Sequence, residues 1–362
     1  MLICGQIDIS MTNNEQLEAI VNRLPSINNE RQYWLIRTEG GKNYDTFYEN
    51  KFIALQYDVI TYAEISKVEK ETPASLNETI KKRVAKEYPD DSRPGLIANQ
   101  IIKFIYEIKK DDIVLIPSAN SQTIAFGVVE QDNIYLPSEQ ELTETDCEYT
   151  FRKKVKWLKT ANRKSLDPYL YKVLFAHQAI NNLNDYNEVI ERSIQNFFIT
   201  DGEAHIIFDV LTTSDIYAID LFMLGTTYLS NLKDVSDHFS FDLDVNEIEV
   251  RIALNSPGKI HFKANSWKTI VTFGIIVLAI NGGGLKIDES WGKIDLSTDG
   301  IIKNIIDYQN SKHDRNVQDT LLSKYADSLN VQMPTDLILM LQQASTNKGK
   351  PDVNLTDKPE KK

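Results

Sequence analysis

Cysteine is close to absent from this chain: Cys4 and Cys147 are the two thiols in 362 residues. That count supports neither a disulfide framework nor a thiolate zinc site, and it fits a reducing cytoplasm. Positive charge is also short. Forty Lys and Arg against 52 Asp and Glu leave a formal net charge of −12, which excludes a protein that coats nucleic acid indiscriminately. A local basic strip remains able to hold a phosphate backbone. No secretory leader is expected, because Met1–Gly5 is too short for an apolar core and Gln6, Asp8 and Asn13 follow it. His205, His238, His261 and His313 show no metal-ligand spacing, and no Ser/His/Asp or Cys/His set has a recognisable local context. No catalytic residue, metal or cofactor is assigned.

What is present is an ordinary globular composition, 42% hydrophobic and 25% charged. The length predicts two domains with tails. Residues 1–30 read as an extension with a short helix over 14–24, and the first domain spans 31–200. A second α/β domain covers 201–344, and the polar, Pro- and Lys-rich end 345–362 reads as a disordered tail. Leu96, Ile97, Ile101, Phe104, Ile105 and Ile108 repeat at three and four, the pattern of an amphipathic helix. Ile113–Pro117 and Thr123–Glu130 read as a hairpin, and the acidic stretch 139–148 as a loop. The fold class expected is α+β.

The most informative stretch is 33–48. A strand-like Tyr-Trp-Leu-Ile-Arg ends at Gly40 and Gly41, and Tyr44, Phe47 and Tyr48 follow. A glycine pair permits a sharp turn or a close ligand approach, and rings beside it can build a pocket for a flat, stackable ligand.

Together with Phe47…Ile53-Ala54, Pro94-Gly95, Asn99-Gln100…Phe104, Asp111-Asp112-Ile-Val114-Leu-Ile-Pro117, Gly127-Val-Val and Lys154-Val-Lys-Trp157-Leu158, this block resembles PUA-like modules related to EVE and YTH-type base readers. It is similar above all to the sensor domain that precedes Mrr-type nucleases and other bacterial defence effectors. The likeness covers about half the chain. It implies a small, strongly bent β-barrel flanked by helices, a pocket for a modified or flipped base, and a role in antiviral defence. Trp34, Tyr44, Phe47 and Trp157 are the candidate rings. Asn99, Gln100, Ser118 and Asn120 are candidates to read base edges, and Arg37 to meet a phosphate or carbonyl. Each has a plainer alternative: strand tryptophans fill cores, helix amides face water, and Asn120 forms a turn. The strip Arg152-Lys-Lys-Val-Lys-Trp-Leu-Lys places Arg152, Lys154 and Lys156 on one strand face as phosphate ligands, or equally as the cations that protect an edge strand.

Three roles compete for the second domain. Thr269–Ile280, extended to 287 between Lys268 and Lys286, mimics a membrane segment, although runs of this length are more often buried core. Asp242 or Asp244 with Glu249-Val-Arg251 is the nearest match to a metal nuclease, with arginine where lysine is needed. The third role is a non-catalytic oligomerisation or interaction domain. Asn281 and Gly282–Gly284 read as a tight turn. The function expected is a sensor that binds a nucleic-acid or nucleotide feature and signals through oligomerisation or an effector. A membrane-associated effector and a nuclease are the alternatives.

Overall fold

A computed structural model describes residues 11–57, 73–89, 93–145, 147–200, 202–253, 258–281, 300–313, 325–332 and 334–346. The glycines 282–284, the extension to 287 and the tail from 347 lie outside them. The chain divides into two compact units, one of Glu30–Ile194 and one that joins the segment ending at Asn29 to the chain from Gln195 onward.

Helix α1 (Asn13–Val21) belongs to the second of these. Thr12 caps it, with Glu15 returning a hydrogen bond to the cap in a reciprocal box.

The 30–194 unit is a curled half-barrel with helices against it. Its elements are β1 (Tyr33–Ile36), α2 (Tyr44–Glu49), β2 (Phe52–Leu55), α3 (Pro73–Glu87), α4 (Pro94–Ile102), β3 (Ile113–Pro117), β4 (Thr123–Val129), α5 (Glu139–Thr145), β5 (Phe151–Asn162), β6 (Ile180–Asn182) and α6 (Asn187–Ile194). The strand order is β2-β5-β4-β3-β1-β6, with β1 parallel to β3 and the other pairs antiparallel. Both faces of the central strands are covered. One packs Trp34, Val114, Ile116 and Val129 against Ile80, Val84, Ile101 and Phe104. The other packs Tyr33, Leu35, Leu115 and Phe126 against Leu170, Leu174 and Ile190. Strands buried on both faces read as continuous apolar runs, as these do.

The curl comes from β5. Its first residues pair with β2 and its last with β4, and the register shifts between Phe126 and Gly127. A bulge of this kind bends a strand. Gly127 makes room there: a Cβ on it would stand 2.4 Å from Val155 Cγ1 and 2.6 Å from Trp157 Cε3. The helix expected over 96–108 is α4 extended by one π-helical turn, Lys103–Glu107. The stretch expected as an acidic loop contains α5. At its start the Ser138 N–H donates to Glu141 Oε2 and the Glu141 N–H donates to Ser138 Oγ, a capping box.

The second unit continues with β7 (Phe197–Ile199), β8 (Ala204–Val210), α7 (Ala218–Phe239), β9 (Glu249–Ala253), β10 (Gly258–Ala264), α8 (Trp267–Asn281), α9 (Gly300–His313), β11 (Val331–Gln332) and α10 (Thr335–Thr346). Antiparallel β8, β10 and β9 lie in that order, and β7 and β11 both pair with β8. The run expected as core or membrane is α8. Thr269 through Ile280 are buried all round, against β8, β10, α7, α9 and α1. A helix apolar on every side belongs inside a protein or a bilayer. Among the described residues no helix is long and apolar enough to cross a membrane.

Candidate functional site

Strands β1, β3 and β5 end, and β4 and β6 begin, at one end of the half-barrel. The glycine pair lies here. Thr38 donates from Oγ1 to the Pro117 carbonyl at 2.5 Å. Gly40 and Gly41 then take φ of 70° and 103°, and a Cβ on Gly41 would stand 2.2 Å from the Ala119 nitrogen. The glycines therefore let the loop after β1 press on the hairpin tip. Asn120 occupies that tip at φ 53°, and Ser118 Oγ accepts from the Thr123 N–H at 2.9 Å. Asn120 thus has the turn-forming role that was its plainer alternative, and Ser118 ties the same turn.

The rings of the block mostly turn inward. Trp34 is 2% exposed, and its Nε1–H donates to Asp112 Oδ2 at 2.9 Å. Asp112 also accepts from the backbone N–H groups of Gln32 and Lys109. Burial pushes its carboxyl pKa up, against the opposing pull of these three donors. Phe47 is fully buried, 5.3 Å from Phe52. Tyr44, Tyr48 and Trp157 form a ladder, with centroid separations of 6.0 and 5.7 Å. Trp157 donates to the Phe47 carbonyl at 3.3 Å. Burial raises the Tyr44 hydroxyl to about 12. Tyr149 is likewise raised to about 12, by burial and then by its hydrogen bond to Glu39. Of the four candidate rings, Trp34 and Phe47 are buried in the core, and Tyr44 and Trp157 stack on opposite sides of Tyr48, the exposed member of the ladder.

The polar candidates separate in the same way. Gln100 is buried, accepting from Ile180 N and donating to Gln178, so it ties α4 to the start of β6. Asn99 faces solvent. Arg152 departs most from its expected role. It is 1% exposed, its guanidinium lies 4.2 Å over the Phe52 ring, and it donates to the carbonyls of Tyr149 and Cys147 and to Thr145 Oγ1. Buried guanidinium groups need this saturation, and it removes Arg152 from any phosphate surface. Of the three cations assigned to phosphate, exposed Lys154 and half-buried Lys156 remain, with Lys159 of the same strip also exposed.

Arg37 leads to a different cluster. Its guanidinium donates to the Leu174 carbonyl at 3.1 Å. Beside that segment, Arg163 donates to the Asn120 carbonyl at 3.4 Å and lies over the rings of Tyr171 and Phe175, 5.6 and 5.9 Å from their centroids. Phe175 is 66% exposed and Tyr169 67%. The segment from Arg163 to Phe175 contains three basic residues, Arg163, Lys164 and Lys172, and one carboxylate, Asp167. That carboxylate is bound to Arg192 at 2.5 Å. The result is a positive, ring-bearing surface on an acidic protein. Sequence inspection missed Arg163, Tyr169 and Phe175. Their signal is the interleaving of basic and aromatic residues just after β5, a sparser pattern than the lysine run that precedes it.

In the other unit, strand pairing brings His205 and His261 together, Nδ1 to Nε2 at 3.0 Å, with Phe198 stacked 4.3 Å from the His205 ring. Asp244 caps a short turn through the Asn246 N–H, and Glu249 lies 3.6 Å from Lys263. Asp242, Asp244 and Glu249 are not gathered into one set of metal-ligand oxygens among the described residues.

A family model described as a domain of unknown function (DUF8426) matches residues 33–184, the span from β1 to the loop beyond β6. Comparisons with curated proteins and with solved structures give no match.

Proposed function

We propose that the 30–194 unit is a PUA-like module that binds a nucleic-acid or nucleotide feature, and that the α/β remainder of the chain passes this event on by association with itself or a partner. The observation that carries the proposal is the cluster of Arg37, Arg163 and exposed Phe175 at the loop end of the sheet, with exposed Tyr169 in the same segment. Exposed rings offer faces for base stacking, worth about 1–3 kcal/mol per base. Guanidinium groups match phosphate oxygens in a planar fork. The −12 charge of the chain restricts such binding to this patch and so favours a specific, short ligand over general coating. A half-barrel with β1 parallel to β3, and with its glycine-pair loop against the β3–β4 tip, supports the PUA-like assignment.

The test is fluorescence anisotropy of the full chain with single-stranded and duplex DNA and RNA, plain and base-methylated. Phe175→Ala should lower affinity about tenfold, in line with the loss of one stacked base. Arg163→Ala should weaken binding and flatten its salt dependence. Negligible binding to every oligonucleotide, or affinities unmoved by both substitutions, would refute the assignment.

A further inference from the structure

The edge of the β7–β11 sheet supports an inference independent of nucleotide binding. Strand β9 pairs along one side with β10, and among the described residues no strand lies on its other side. All five of its residues are exposed, Val250 at 50% and Ile252 at 47%. Their cross-strand partners Phe262 and Ile260 are buried. The apolar face of the sheet therefore continues past its last core strand onto an open edge.

An open edge is a template for another strand, and proteins usually blunt it with lysine, proline or a bulge. Glu249–Ala253 contains neither residue and pairs with β10 in unbroken register. One self-pairing fits its charges. With two copies antiparallel about Val250, Glu249 of each lies opposite Arg251 of the other, Ile248 opposite Ile252, and Val250 opposite itself. Ile248 already has extended backbone, φ −72° and ψ 112°, so the ladder can include it. Centring on Arg251 instead would set two arginines face to face, and like charges directly opposite are unfavourable.

We propose that two copies of this chain associate through antiparallel pairing of β9 with β9, centred on Val250, to make one continuous sheet about a two-fold axis. Such an interface is isologous and closes on itself.

Sedimentation velocity of the full chain from micromolar concentration upward should show the 41.4 kDa species giving way to one of twice that mass. Val250→Lys, which sets two ammonium groups on the axis, should weaken association at least tenfold. Glu249→Arg and Arg251→Glu should each do the same alone. Their equimolar mixture should restore association as a heterodimer seen by native mass spectrometry, because opposite charges then face each other at both positions. Circular dichroism confirms that each variant is folded. A monomer at every concentration would overturn the proposal, as would a dimer indifferent to Val250→Lys or a mixture no stronger than its components.

Discussion

Lys153 is fully buried in the half-barrel, and its burial has a sign that can be measured. Its ammonium donates to the carbonyls of Ile108 at 2.7 Å, Ile105 at 3.4 Å and Asp132. The first two are carbonyls left over where the π-helical turn ends. Desolvation, with Lys109 adding to it, lowers its pKa from 10.5 to about 8 despite Asp132 and Asp112 nearby. The folded state therefore releases this proton before the unfolded chain does. Between pH 8 and 10.5 the unfolded state binds more protons, so stability rises with pH across that window. At about 1.4 kcal/mol per pH unit the whole effect is about 3 kcal/mol, of which about 2 kcal/mol falls between pH 7.5 and 9.5. Staying below 10 matters, because Tyr33, Tyr44 and Tyr149 are held protonated in the fold and work in the opposite direction once free tyrosine ionises. Urea titrations followed by tryptophan fluorescence at steps across pH 7.5–9.5 would give the slope. In Lys153→Met that slope should vanish, whatever the variant's stability at pH 7.5. Equal slopes in the two proteins would refute the account of a neutralising lysine.

Three further outcomes follow from the same unit. Asp112→Ala strands the Trp34 indole and two backbone N–H groups in a buried site, so chemical denaturation should show a loss of at least about 3 kcal/mol. Gly127→Ala forces a methyl group against Val155 and Trp157; a loss of about 1–3 kcal/mol is expected, with a shifted Trp157 emission. Arg152→Leu should lower the unfolding midpoint yet leave the salt dependence of oligonucleotide binding unchanged. A log–log slope shallower by about 0.9 would return Arg152 to the phosphate surface.

Much of this fold is legible in the chain because burial on both faces leaves strong local marks. Tyr33–Ile36 and Ile113–Pro117 are apolar runs of strand length, and α8 is apolar on every side. Helix α5 escaped notice because its acidic composition outweighed the Ser138–Glu141 cap that marks its start. The association of α1 with elements beyond Gln195 leaves no local trace, since an amphipathic face does not encode what covers it. The candidate site was legible only in part. Rings and glycines around 33–48 marked a crowded end of the sheet, but whether a ring faces a ligand or a core depends on pairings up to a hundred residues away. Arg152 shows the limit: alternation along β5 puts it with Lys154 and Lys156, but Thr145, Cys147, Tyr149 and the Phe52 ring cover it at that end of the strand.

The division of the chain has a consequence for biosynthesis. Helix α1 leaves the ribosome early, but α8, α9 and α10, which it packs against, follow only after the whole 30–194 unit has been made. At about 5–20 residues per second, α1 waits on the order of 10–50 s for α8 to be translated. Throughout that interval Leu17, Ile20 and Val21, buried in the finished protein, have none of their final neighbours. The intervening unit, whose strand pairs all lie within its own span, can complete its sheet meanwhile. Nascent chains arrested after residue 200 should therefore hold a folded half-barrel tethered to an amphipathic segment whose uncovered apolar residues are a ready ligand for chaperones.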